Sequence, residues 1–181
     1  MTRRMRPLLA AAVALTAVLL SQPAFAGPPL LCFPFDIGNA RSLPMGHGSW
    51  REIDSSYDVS HLVPDTLALL APATPVTVRM ETIRRATIYA AAHPTLAAAL
   101  LDAVQARATA PAPGIAALAV FDFGYLVESY KEAKFLFKQP LTAIDRIDGY
   151  QLVLKAHALQ PDAAMQQAAR LIVDGYPRGT K

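Results

Sequence analysis

"AVFDFGYLVESYKEAKFLFK", residues 119–138, decides the fold. Ala119, Phe123, Leu126, Tyr130, Ala133 and Phe137 recur at spacings of 4, 3, 4, 3 and 4, the rhythm of one helical face. Glu128, Lys131, Glu132 and Lys138 occupy other faces, and the lysines gather where a helix C-terminus favours positive charge. The spacing predicts a helix of about six turns that stops before Pro140. Asp122 and the charges of the second half make it a buried helix of a globular domain, not a membrane span.

Working outward, the same rhythm repeats on both sides. Upstream, Met80, Ile83, Thr87 and Ala90 form an apolar stripe within Val76–Ala92, with Glu81 placed to pair with Arg84 or Arg85 on the opposite, solvent-facing side. His93-Pro94 breaks that helix and starts another, whose face is Leu96, Leu100, Leu101 and Val104. A short helix is expected near Pro64–Leu70, closed by "APATP", and "TAPAPG" at 109–114 is the clearest internal linker. Downstream, two helices meet at Gln160-Pro161, with core stripes of Ile147, Tyr150, Leu154 and of Met165, Ala168, Ile172. The fold class is mainly α: antiparallel helical hairpins with an irregular apolar N-terminal arm. The organisation expected is a signal peptide at 1–26, the arm with at most short helices at 27–75, and a helical domain at 76–181.

The last hairpin resembles a tetratricopeptide repeat. With Pro161 as the closing proline, Gly149, Val153 and Ala156 fall on the small, bulky and small positions of the repeat's second helix, and "FGYLVESYKEA" at 123–133 looks like a first helix with Gly124 at its small position. Gly124 and Pro161 stand 37 residues apart, so about a third of a repeat is inserted around "FLFKQPLTAIDR". The resemblance implies protein or peptide binding in a concave groove, without catalysis.

The first residues read as an export signal: Arg3, Arg4 and Arg6, an apolar run from Leu8 to Leu20, and "SQPAFA" with small residues at Ala24 and Ala26. Cleavage after Ala26 and release to the bacterial periplasm or exterior are expected, with no stable membrane anchor. The chain has 17 Lys and Arg against 14 Asp and Glu, and losing those three arginines leaves the two signs equal. The basic balance therefore belongs to the signal, and nucleic acid is not an expected partner. A single cysteine cannot make an intrachain disulfide, so stability must come from packing.

Chemistry-bearing residues concentrate in the turn-rich arm. Leu30, Leu31, Phe33, Phe35, Ile37 and Leu43, separated by prolines and glycines, read as apolar anchors covering an exposed apolar edge of the helical stack. Cys32 among them is either an inert apolar thiol, or a redox thiol or soft metal ligand with Met45, His47 and His61. The ligand spacing matches no compact metal motif, and no cofactor is expected. His47 near Ser49, and Asp54 one helical turn from Asp58, offer the elements of a hydrolase without its local context. Trp50, Tyr57 and Tyr125 are the candidate partner-binding aromatics, Tyr125 because it lies off the core stripe. The functional expectation is a protein- or peptide-interaction or scaffold module; the alternative is a metal-binding or thiol-redox protein using Cys32.

Overall fold

The structure, a computed structural model, describes residues 28–112, 114–138 and 141–175. The expected signal peptide lies outside them. Six α-helices follow an irregular arm and a single 3-10 turn at Val59–His61: α1 (Leu62–Leu69), α2 (Val76–Ala90), α3 (Pro94–Thr109), α4 (Ala116–Phe137), α5 (Gly149–Leu159) and α6 (Ala163–Gly175). The described residues form a mainly helical bundle. α4 is its axis, packed against α2, α3, α5 and α6, while α1 closes one side against α2 and α3.

Local sequence explains where the helices begin and end. Asp148 accepts from the Gln151 N–H to open α5, and Asp162 accepts from Ala164 and Met165 to open α6. Pro94 takes the first position of α3, where its missing N–H costs nothing. His157 accepts the Asp162 N–H and so ties the α5–α6 turn. Beyond α1, where carbonyls lack helical partners, two arginines supply donors. Arg107 bonds the Leu67 and Leu70 carbonyls at 3.2 and 2.7 Å. Arg79 bonds those of Ala71 and Thr74, and is itself held by the buried Asp122 at 2.6 Å.

Three sequence expectations change. First, α4 has no solvated face through its middle: residues 117–130 are all buried, Tyr125 included, so the rhythmic stripe is only part of its buried surface. Second, on α5 the buried residues are Gly149, Val153 and Ala156, while Ile147 and Tyr150 are half-buried and Leu154 is exposed. Gly149 meets α4 directly, Ile147 and Tyr150 pack at the margin of the core, and only Leu154 of the periodic stripe is turned out to solvent. The cause is a close crossing of two glycines: a Cβ on Gly124 would come within 2.7 Å of the Gly149 carbonyl, and one on Gly149 would strike the Gly124 carbonyl. Backbone meets backbone there, which fixes the rotation of α5 about its axis.

Third, α2 is not an amphipathic surface helix. Thirteen of its fifteen residues are buried, among them Arg79, Glu81 and Arg84. Its charged side is covered by the arm, whose Leu30 and Leu43 join the main core and whose Leu31 packs with Ile88 and Ala133, so the arm covers apolar surface of the helices and a buried polar face besides. Leu30, Leu31 and Leu43 are buried anchors as expected, but Phe33, Phe35 and Ile37 are only half-buried.

Candidate functional site

An irregular segment cannot satisfy its own main-chain donors and acceptors, so a buried one needs partners from elsewhere. Here they come from two helices. On α2, Arg84 and Arg85 lie three and four residues after Glu81, and Tyr89 four after Arg85, so the four line one side; on α4, Glu132 bonds the same arm. The Glu132 Oε2 accepts from the Leu30 N–H at 3.0 Å and the Leu31 N–H at 3.1 Å. Arg84 Nη1 donates to the Leu31 and Trp50 carbonyls, both at 3.0 Å. Glu81 Oε2 accepts from the Phe35 N–H at 3.0 Å. Arg85 donates to the Leu43 carbonyl, and the Tyr89 hydroxyl donates to that of Pro44 at 2.8 Å while accepting from the Asp54 N–H. Ser42 and Thr82 share a hydroxyl bond at 3.0 Å.

These charges are held in position by one another. Arg84 grips Glu81 with Nε and Nη2 at 2.7 and 2.9 Å, and Arg85 adds a third bond to Glu81 at 2.7 Å. Glu81 is fully buried, and Arg84 and Glu132 are each 2 % exposed. Burial pushes the Glu81 carboxyl up, but the bonds and charges of Arg84 and Arg85, with the Phe35 N–H, outweigh it and hold the group below its usual range. Glu132 has no such cation. Burial pushes it up to about 8, the Leu30 and Leu31 N–H groups pull the other way, and Glu128 adds to the rise.

The seam therefore holds an irregular chain, turned at residues 28–32, by its main-chain atoms: N–H groups of residues 30, 31 and 35, carbonyls of residues 31, 43, 44 and 50. The sequence reading missed it by treating Glu81, Arg84 and Glu132 as surface charges. The available signal was the arm itself, apolar enough to be buried yet too broken by proline and glycine to form a regular element, so that isolated turn bonds satisfy only part of its main chain.

The residues singled out in the sequence lie around this seam without forming a second site. Cys32 is half-buried beside it; burial raises the thiol, the Glu132 carboxylate raises it further, and Arg84 opposes them. That keeps the sulfur protonated, the opposite of an activated thiolate. Among the described residues no group of three His, Cys, Asp or Glu is placed to hold a metal ion, so Cys32, His47 and His61 do not come together as ligands. Met45 packs with Leu31, Ile88 and Ala133; His47 is exposed; and His61, also exposed, lies 4.0 Å from Asp58. Asp54 and Asp58 each shape a turn, accepting from the N–H and hydroxyl of the serine two residues on, Ser56 and Ser60. Ser49 is exposed.

Of the three candidate aromatics, Trp50 is half-buried against Phe137, ring centroids 6.1 Å apart, and gives its carbonyl to Arg84. Tyr57 is half-buried on Tyr89 at 5.0 Å and donates to Asp65 at 2.8 Å, where it lines an open cleft of about 430 Å³ between the arm and α1, with Arg41 and Leu69. Tyr125 is wholly buried, stacked on Phe121 at 5.6 Å, and cannot anchor a partner. α4 is enclosed on every side at that level, so lying off the stripe does not expose a residue. Its hydroxyl has no hydrogen-bond partner among the described residues, and burial, reinforced by the charges of Glu132 and Glu81, pushes it well above the usual range.

No protein-family model matches the chain, and no curated protein or solved structure matches it either.

Proposed function

We propose that this is an exported, helical interaction module that holds a turned, non-helical peptide segment by its main chain, with its own N-terminal arm as the resident occupant of the seam. The observation that carries the reading is the use to which the buried carboxyl and guanidinium groups are put. Glu132 and Arg84 direct hydrogen bonds at the N–H and C=O groups of a turn at residues 28–32, closed by the Cys32 N–H on the Pro28 carbonyl, and Glu81 bonds the irregular chain that follows at Phe35, so main-chain bonds supply affinity and the seated side chains supply selectivity. Buried Leu30 and Leu31 are the side chains such pockets select. The export reading of residues 1–26, with release to the periplasm or cell exterior, and the tetratricopeptide-like character of the last hairpin belong to the same proposal. In support of a module without a helical anchor, no helix among the described residues is long and apolar enough to cross a membrane.

The test uses the full chain with Leu31→Asp, which places a charge where the seam takes an apolar side chain and so unseats the arm. A synthetic peptide of residues 28–38, with Cys32→Ser, should bind this variant saturably in fluorescence anisotropy and raise its melting temperature towards that of the parent. The same peptide carrying Leu31→Asp should do neither. If the matched peptide neither binds nor restabilises the variant, the seam is a structural contact and not a recognition groove.

A further inference from the structure

We infer that the seam also takes the arm of a second copy of this chain, giving a dimer in which two copies exchange residues 28–35. This rests on the seam being a main-chain-reading groove, and the observation behind it is that the latch is divided into two parts. Residues 28–35 are held by Glu132, Glu81 and one bond from Arg84, all at least 46 residues away in sequence. From Ser42 onward the arm is held separately, by Thr82, Arg85, Tyr89 and the second bond from Arg84.

Between these parts, the hydrogen bonds found within 36–41 are local: Gly38 N–H to Asp36 Oδ1 at 3.0 Å and Ala40 N–H to the Ile37 carbonyl at 3.0 Å. Asp36, Gly38, Asn39, Ala40 and Arg41 are exposed. Gly38 turns the chain with φ +53°, in the left-handed region, so the arm of a single copy folds back through a conformation that costs other residues free energy.

Opening this turn exposes no buried side chain and breaks no bond to the helices, provided that residues 28–35 find an equivalent seam. Six connecting residues span up to roughly 20 Å when extended, enough to carry the arm off its own body. The seam of a second copy offers identical carboxylates and guanidinium, because groups that bond main-chain atoms do not register which chain those atoms belong to. The exchanged contacts are the native ones, so the balance between monomer and dimer is set by concentration and by the turn at Gly38.

Gly38→Pro in the full chain tests this directly, because proline fixes φ near −65° and forbids the closed turn while permitting an extended connection. Gly38→Val, milder at a positive φ, covers the case in which the proline variant does not fold. Analytical ultracentrifugation should show the parent forming dimer more readily as concentration rises, and the variant dimerising at least about tenfold more tightly. The Leu30 and Leu31 amides of the dimer should remain protected from hydrogen exchange. Adding Glu132→Ala should return the variant to monomer. Monomeric Gly38 variants, or a dimer that survives Glu132→Ala, would overturn the exchange. If the peptide still binds the Leu31→Asp chain, the groove stands and only the exchange is lost; if both experiments fail, the groove reading goes with it.

Discussion

Arg84→Ala is expected to lower the unfolding free energy by about 3–5 kcal/mol in urea titrations at neutral pH, among the largest effects available to one side chain of this protein. The guanidinium is 2 % exposed and its neighbour Glu81 is wholly buried. Removing it leaves Glu81 with Arg85 as its remaining cation and takes the donor from the carbonyls of Leu31 and Trp50. A paired replacement, Arg84→Met with Glu81→Leu, separates the two losses. Exchanging a buried ion pair for apolar groups is often close to neutral. Here the Leu31 and Trp50 carbonyls and the Phe35 N–H would still lack partners, so the double variant should recover only part of the loss. Full recovery would mean that the pair serves charge balance alone and that the arm does not depend on it.

Stability should fall as pH rises from about 5 to about 8, and Glu132→Gln should remove most of that slope. Burial raises the folded carboxyl of Glu132 to about 8, against an ordinary value of 4.5. The folded state then binds its proton more tightly than the unfolded chain does. That contribution is complete below 4.5, is lost progressively up to about 8, and is level above it. Its size is on the order of a few kcal/mol. Asp122, raised to about 6 by burial against the opposing pull of Arg79, adds a smaller loss of the same sign at lower pH. Glu81 acts the other way: held below its usual range, it supplies stability that disappears only in stronger acid. Glutamine at position 132 keeps a carbonyl for the bonds from Leu30 and Leu31 to Oε2 and gives up only the longer bond from Leu30 to Oε1 at 3.2 Å. Denaturant midpoints at pH 5, 6.5 and 8 check this; a parent whose stability rises over that range would contradict the burial of an unpaired carboxyl.

Much of the fold was legible because its signals are local. Pro94 starts α3, the spacing from Ala119 to Phe137 marks α4, and Pro161 separates α5 from α6. These depend on neighbours within a turn or two of helix. What was not legible depends on distant chain. Whether Glu81 faces water is decided by Phe35, 46 residues earlier, and whether Glu132 does is decided by Leu30, 102 residues earlier. Tyr125 looked exposed because periodicity describes one face, and α4 is enclosed on all of them over residues 117–130. Leu154 looked buried for the related reason that α5 is turned by the contact of Gly124 with Gly149, which a count of apolar side chains does not register. The arm's apolar composition correctly implied burial, but composition could not show that its main chain, more than its side chains, is what the helices hold.

The most direct measurement is hydrogen exchange of the Leu30, Leu31 and Phe35 amides in the intact protein, with the exposed Asn39 amide as the internal reference. With the arm seated on Glu132 and Glu81, these three should exchange together and far more slowly than Asn39, through displacement of the arm from the seam. Exchange of all three at the rate of Asn39 would place the arm in solvent and contradict the seam.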